Sequence, residues 1–178
     1  MKKYKTGHVN PWWDDSFKTL DYQYAPIKNT WDEERWHKEG YTGVTLNGAL
    51  YAAYRGGVPM PMPDYAEPFT KVFDWKNVGI GFFRMNTLDM FPIHQDHYIT
   101  YQQKFNITDP TTIWRCIVFL EDWKSGHYLE VDGDPIVNWK KGDYVMWNYN
   151  LPHFAGNFGT DPRYTVQITG TQLHDQTK

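Results

Sequence analysis

Two side chains that can bind a metal stand two positions apart in the segment Phe91–Tyr98. His94 and Asp96 form the pattern H-x-D, and residues two apart on a β-strand point to the same face. If this segment is a strand, an imidazole and a carboxylate lie side by side as two ligands of one metal ion. The same pattern also occurs by chance on polar surface strands, so a metal site needs a third ligand from elsewhere in the chain.

The third ligand is expected to be another histidine. Five are candidates: His8, His37, His127, His153 and His174. His153 is favoured because Arg163 follows it ten positions later and Thr165 twelve positions later. His127, its main rival, has Val137 at the first of these positions. Two histidines and one carboxylate on one face of a metal leave three positions open, which is the facial triad of non-haem Fe(II) oxygenases.

In order and spacing, these residues resemble the signature H-x-D…H…R of the Fe(II)- and 2-oxoglutarate-dependent dioxygenase family. The resemblance implies that His94, Asp96 and His153 bind Fe(II). It implies that Arg163 pairs with the distal carboxylate of 2-oxoglutarate and that Thr165 hydrogen-bonds the same carboxylate, as in the R-x-S/T variant of the signature. Arginine suits this role because its planar fork binds a carboxylate through two parallel charge-assisted hydrogen bonds.

The resemblance also implies an activity and a class of substrate. Fe(II), the cosubstrate 2-oxoglutarate and O2 would together hydroxylate an unactivated C–H bond. Short chains with N-terminal helices are similar to the prolyl and aspartyl/asparaginyl hydroxylase types, which favours an amino-acid residue in a peptide or protein as substrate. Prolyl-type enzymes carry a lysine where Arg163 stands, which argues against a strict prolyl 4-hydroxylase.

Two other classes of protein fit parts of the pattern. Gly142 and Asn157 stand at the outer positions of the second cupin motif around His153, so a metal-binding cupin of another reaction class, such as an isomerase, is an alternative. The first cupin motif requires a second histidine where Asp96 stands, followed by a glutamate, and neither is present. A non-catalytic jelly-roll module that binds ligands through its aromatic residues is a further alternative.

Five more residues are candidates for lining the pocket: Tyr98, Tyr101, Trp114, Arg84 and Arg115. Packing in the core is the more common role for the three aromatic residues. A buried arginine needs a partner, so Arg84 or Arg115 would meet substrate if it faced the interior and form an ion pair if it lay on the surface.

The elements that position these residues are predicted to form a single domain over residues 1–178. Residues 1–75 are expected to be helical and loop support, with one helix at Thr30–Glu39 and a second at Thr45–Tyr54. Val58–Asp64 carries three prolines, which are incompatible with a helix interior or a central strand, and is predicted to be a loop.

Residues 76–171 are predicted to form the core of a jelly roll. The predicted strands are Val78–Met85, Ile93–Tyr101, Thr111–Leu120, His127–Val131, Pro135–Trp139, Asp143–Trp147 and Arg163–Thr171. Glycine- and aspartate-rich turns separate them. This pattern indicates a mainly β protein with a double-stranded β-helix and short N-terminal helices. The sequence contains no GxGxxG or GxxxxGK[ST] motif, so nucleotide-phosphate chemistry lacks its usual support.

Composition narrows the remaining classes of function. A formal net charge of −3 argues against a nucleic-acid partner. No apolar run approaches the roughly 20 residues that cross a bilayer, and no secretory signal follows the basic start, so a cytoplasmic location without membrane contact is expected. A lone Cys116 excludes an internal disulfide and agrees with a reducing compartment. Aromatic residues make up 18% of the chain and can stabilise the core of a small β-rich domain.

Overall fold

The computed structural model describes residues 3–24, 30–55 and 57–172. In these ranges the strands are β1 (Tyr4–His8), β2 (Gln23–Tyr24), β3 (Ala49–Ala52), β4 (Tyr54–Arg55), β5 (Val58–Pro59), β6 (Lys76–Met85), β7 (Met90–His94), β8 (Ile113–Phe119), β9 (His127–Val131), β10 (Asp134–Ile136), β11 (Asp143–Asn148), β12 (His153–Asn157) and β13 (Arg163–Thr171). The helices are α1 (Thr30–Lys38), α2 (Ala66–Phe69) and α3 (Ile99–Phe105), with short 3-10 helices at Asp15–Thr19 and Pro110–Thr112. No helix in the described ranges is both long and apolar enough to cross a membrane.

The strands form two antiparallel sheets that pack face to face, together with a separate short hairpin of β4 and β5. The larger sheet has the order β1-β11-β8-β13-β6-β3-β2, and the smaller sheet has the order β10-β9-β12-β7. The predicted mainly β fold, a double-stranded β-helix with short N-terminal helices, is confirmed. Apolar side chains of both sheets, such as Ile117, Leu129 and Trp147, fill the space between them.

The central strands β8 and β13 are buried on both faces. Inward-facing residues alternate with outward-facing ones, as the pleat of a strand requires. The inward residues are Arg115, Ile117 and Phe119 on β8 and Arg163, Thr165 and Gln167 on β13. The outward residues Cys116, Val118, Val166 and Ile168 pack against an N-terminal layer that contains Trp13, Phe17 and Phe69. Because this layer covers the larger sheet, its outer face can be as apolar as its inner one.

The N-terminal part contributes strands as well as helices. The helix predicted at Thr30–Glu39 is confirmed as α1, but the helix predicted at Thr45–Tyr54 is wrong, since β3 and the start of β4 occupy half of it and no helix forms there. Ala49 and Tyr51 are buried with a period of two, and β3 pairs with β6. Pairing across the sheet therefore overrides the helix propensity of alanine and leucine. The expectation that residues 1–75 are only helical and loop support also omits β1, which pairs with β11.

Two differences from the predicted strands fall beside the candidate ligands. The strand predicted at Ile93–Tyr101 is wrong beyond its start, because β7 ends at His94 and α3 begins at Ile99. Conversely, His153 opens the strand β12, which sequence reasoning did not predict. The strands predicted at His127–Val131 and Arg163–Thr171 have the bounds of β9 and β13.

Candidate metal centre

The two candidate histidine ligands lie on neighbouring strands of the smaller sheet. His94 is the last residue of β7 and His153 is the first of β12, and the antiparallel register places them directly opposite each other. Their ring centroids are 4.2 Å apart. The pairing shifts register between His153 and Ala155, and irregularities of this kind re-aim side chains next to functional sites.

Both imidazoles are held in the same tautomer by the backbone two residues earlier. Nδ1 of His94 lies 2.7 Å from the carbonyl oxygen of Pro92, and Nδ1 of His153 lies 2.9 Å from that of Leu151. A carbonyl oxygen only accepts, so each Nδ1 carries the hydrogen and each Nε2 keeps its lone pair. The two Nε2 atoms lie 3.9 Å and 3.8 Å from the oxygens of Asp96. Backbone contacts of this type orient metal-binding histidines in proteins.

Asp96 completes the group, although it does not lie on a strand. Candidate ligand atoms of His94, Asp96 and His153 all lie within 4.8 Å of one another, and no second group of this kind occurs among the residues that the structure describes. Sequence reasoning placed His94 and Asp96 on one face of a common strand, whereas Asp96 follows the end of β7. The H-x-D spacing thus predicted correctly that His94 and Asp96 lie close together, although the two residues do not share a strand.

The charges of this group suit a divalent cation. Burial alone would raise the pKa of the Asp96 carboxyl, but the Arg115 guanidinium, the two histidines and the Tyr98 hydroxyl outweigh burial and hold the pKa well below its usual range. Burial, reinforced by the neighbouring His94, lowers the pKa of His153 to about 4. At neutral pH the site therefore offers an ionised carboxylate and a neutral imidazole at His153, the forms that bind metals.

A cavity of about 240 Å³ extends from this group between the two sheets. Its walls combine apolar side chains with a few polar ones: Phe83, Met85, Phe91, His94, Asp96, Arg115, Ile117, Trp147, His153, Ala155, Arg163, Thr165 and Gln167. Pockets for drug-sized ligands measure roughly 300–1,000 Å³. This cavity therefore fits a smaller molecule that uses a small number of polar contacts.

At the other end of the cavity lies Arg163, a buried guanidinium that is only 3% exposed. Its Nη1 donates to the carbonyl oxygen of Tyr128 at 3.0 Å and lies 3.3 Å from the sulfur of Met85, and its guanidinium carbon is 5.6 Å from the ring centroid of Trp139. Its Nε has no hydrogen-bond partner, and within the described chain no ion pair joins Arg163 to a carboxylate. Burial lowers its pKa to about 10, so it remains charged at neutral pH.

Thr165 lies on the same face of β13 as Arg163 and is also buried. We call Arg163 and Thr165 the inner end of the cavity, and His94, Asp96 and His153 the metal end. A buried cation without a counter-ion is energetically costly. The inner end is thus suited to the anionic group of a bound molecule.

Of the five residues proposed to line the pocket, Arg115 does so. Tyr98 is not part of the wall, but its hydroxyl lies 3.3 Å from Nε of Arg115. Gln167, which sequence reasoning missed, lines the cavity and accepts a hydrogen bond from Nη1 of Arg115. Its position, four residues after Arg163 on the same strand, could have revealed it.

The other three are not among the residues that line this cavity. Trp114 and Arg84 occupy outward-facing positions of β8 and β6. Trp114 packs 6.3 Å from Trp75, and the Arg84 guanidinium lies 5.1 Å from the ring centroid of Tyr22. Tyr101 is on α3 and donates its hydroxyl hydrogen to a backbone oxygen at position 77.

His127, the rival third ligand, also lies outside the cavity wall. Its Nε2 is 2.9 Å from the carbonyl oxygen of Asp161, so this nitrogen donates to the backbone. Its ring stacks near Trp139 at 6.2 Å. His127 is therefore a core histidine that is already hydrogen-bonded.

Comparison with solved structures relates the fold to known proteins. A prolyl-4-hydroxylase from Pseudomonas putida is 12% identical, with a TM-score of 0.59 over 97% of this chain and 94% of that one. A protein from Thermotoga maritima, described as a possible oxalate decarboxylase, is 8% identical, with a TM-score of 0.46 over 85% and 95% of the two chains. A double-stranded β-helix protein from Klebsiella pneumoniae is 13% identical, with a TM-score of 0.37 over 56% and 72%. No protein-family model and no curated protein sequence matches the chain. At these identities the similarity concerns the fold alone.

Proposed function

We propose that this protein is an Fe(II)- and 2-oxoglutarate-dependent dioxygenase that hydroxylates an unactivated C–H bond. The observation that carries the proposal is Arg163, a buried guanidinium without an ion-pair partner in the described chain, in the same cavity as a cluster of two histidines and one carboxylate. Metal binding by itself gives no reason to bury a cation at the inner end. A molecule with a carboxylate at each end would use both ends of the cavity.

The residues present fit both the metal and the cosubstrate. His94, Asp96 and His153 would hold Fe(II), for which two imidazoles and one carboxylate are a known donor set that leaves positions open. Arg163 and Thr165 would hold the distal carboxylate of 2-oxoglutarate through charge-assisted hydrogen bonds. Bound Fe(II), with 2-oxoglutarate and O2, supplies the oxidising chemistry, and 2-oxoglutarate leaves as succinate and CO2.

The rest of the chain excludes water and orients the cosubstrate. Phe83, Ile117 and Trp147 provide an apolar wall between the two ends of the cavity, and water exclusion protects reactive oxidants from side reactions. The cavity is small enough that it would hold the cosubstrate alone, without room for the substrate as well. The substrate would approach the metal end, where the side chains of His94 and Asp96 are 14% and 28% exposed.

This arrangement supports a substrate that presents one reactive group from outside the barrel. We therefore extend the proposal to an amino-acid residue of a peptide or protein. A nucleic-acid substrate is not expected, because the net charge of −3 gives no excess of cations to bind phosphates.

An anaerobic titration of the metal-free protein with Fe(II) and then 2-oxoglutarate tests this proposal by visible absorption. Chelation of the metal by a 2-oxo acid gives a charge-transfer band, so the substrate need not be known. We expect a saturable band in the wild type, its loss in Asp96→Ala, and about 100-fold weaker 2-oxoglutarate binding in Arg163→Met, because a buried charge pair is lost.

Pyruvate provides a matched chemical control, since it keeps the 2-oxo acid group and lacks the distal carboxylate. Wild type and Arg163→Met should bind it with equal affinity. Equal affinity of both proteins for 2-oxoglutarate would contradict the role of Arg163. Metal binding without any response to 2-oxoglutarate would favour a cupin of another reaction class, and failure to bind metal would favour a non-catalytic binding module.

A further inference from the structure

The carboxylate of the metal end lacks the backbone support that the two histidines have. His94 and His153 are fixed by strand pairing, but β7 ends before Asp96, which lies in the irregular residues 95–98 ahead of α3. Its side chain is 28% exposed. The hydrogen-bonded pairing of β7 and β12 therefore does not fix the direction in which the Asp96 carboxylate points.

Arg115 of the larger sheet and the nearby Tyr98 hold it instead. Arg115 on β8 reaches across the cavity, and its Nη2 donates to Oδ2 of Asp96 at 3.0 Å. The same guanidinium donates through Nε to the Tyr98 hydroxyl at 3.3 Å and through Nη1 to Gln167. Its carbon also lies 5.2 Å from the ring centroid of Tyr98. Each of its three nitrogens is engaged, so the planar fork is held in one orientation.

We propose that Arg115, anchored by Tyr98 and Gln167, is a positioning residue that fixes the Asp96 carboxylate for metal binding and so sets the metal affinity of the site. This inference rests on the proposed function, because it assumes that the three-residue cluster binds a metal. The carboxylate is already oriented before the metal arrives, so its rotational freedom need not be lost on binding. Contacts to metal ligands of this kind typically change metal affinity by about 10–100-fold.

A purely electrostatic role for Arg115 makes the opposite prediction. A cation beside the site repels a divalent metal, so removal of its charge would strengthen binding. Removal of a positioning contact would weaken binding. The sign of the change in affinity in an Arg115 variant therefore distinguishes the two roles.

The test is a titration of the metal-free full chain with Co(II), followed by visible absorption. We expect Arg115→Met to bind Co(II) about 10–100-fold more weakly than the wild type and to show an altered Co(II) spectrum at saturation. Tyr98→Phe keeps the charge of Arg115 and removes one anchor, so it should weaken binding by about tenfold or less. The Tyr98 hydroxyl also stabilises the charge of the Asp96 carboxylate, so electrostatics alone predicts tighter Co(II) binding in this second variant.

Arg84→Met is the matched control, because it removes an arginine from the outward face of β6. It should bind Co(II) as the wild type does. Unchanged or tighter binding in a folded Arg115→Met would overturn the inference and leave the proposed function intact. If Arg115→Met does not fold, wild-type affinity in Tyr98→Phe overturns it. A wild type that binds no Co(II) would refute the metal site itself and the inference with it.

Discussion

Arg115 and Arg163 are both buried on the inward face of the larger sheet, at opposite ends of one cavity, and their surroundings differ. Arg115 has a protein partner for each of its nitrogens, one of them the Asp96 carboxylate. Burial alone would lower its pKa, but Tyr98 and Asp96 outweigh burial and raise it. Arg163 has no carboxylate partner among the described residues, and burial lowers its pKa to about 10.

The difference distinguishes an arginine that serves the structure of the site from one that is available to a ligand. An uncompensated buried charge lowers the stability of a protein. Recognition of a charged molecule can explain why such a charge is present. Arg163 therefore points to an anion that comes from outside the chain. Arg115 already has its anion within the chain.

The largest effect is expected when Asp96 is removed, because Arg115 then becomes a second unpaired buried cation. We expect Asp96→Ala to lower the free energy of unfolding of the metal-free protein by about 3 kcal/mol. Urea denaturation measures this change. The double variant Asp96→Ala/Arg115→Met should be more stable than Asp96→Ala, and an equal or lower stability would show that the two arginines do not differ in this way.

Acid should lower the free energy of unfolding through His153 at the metal end. It should have no such effect through Arg163 at the inner end. The pKa of His153 is about 4 in the folded protein and 6.5 ordinarily, so the unfolded chain binds more protons as the pH falls below 6.5. Stability is thus lost on acidification, by about 2 kcal/mol between pH 7.5 and pH 5 for this residue in the metal-free protein. Arg163 stays protonated over this range.

Urea denaturation at several pH values, for the wild type and for His153→Gln, isolates this contribution. Histidines away from the metal end contribute to both proteins and cancel in the difference. What remains is the contribution of His153, including its coupling to His94 and Asp96. The same pH dependence in both proteins would contradict the lowered pKa of His153.

The smallest effect on stability is expected at the inner end. Arg163→Met replaces a buried cation by an apolar side chain and loses the hydrogen bond to Tyr128. We expect a change between zero and a gain of about 1 kcal/mol in the free energy of unfolding without ligand. A loss as large as that of Asp96→Ala, measured under the same conditions, would mean that Arg163 already has its partner in the chain.

The site residues were predicted from the sequence more accurately than the helices and strands on which they lie. The order and spacing of His94, Asp96, His153 and Arg163 predicted residues that the structure brings around one cavity. The period of two also placed Arg163 and Thr165 on one face of a strand, because this pattern depends on the pleat alone.

What sequence reasoning missed depends on contacts between distant segments. The segment Thr45–Tyr54 has the composition of a helix, but its residues Ala49–Ala52 form β3 because β6 is available to pair with them. The contact of Arg115 with Asp96 joins the larger sheet to the irregular segment that follows β7, and nothing in the local pattern distinguishes Arg115 from Arg84. Whether an arginine faces the cavity or the outer layer follows from strand register, which the sequence does not state.

The alternation along β13 also limits how this protein can change in evolution. Cavity residues and core residues occupy successive positions of the same strand, so loss of one residue within it would turn Tyr164 toward the cavity and Arg163 toward Phe17 and the outer layer. Such a deletion would damage the site and the core in one step. We therefore expect homologues to keep the length of this strand unchanged and to vary in length at turns such as Gly159–Pro162.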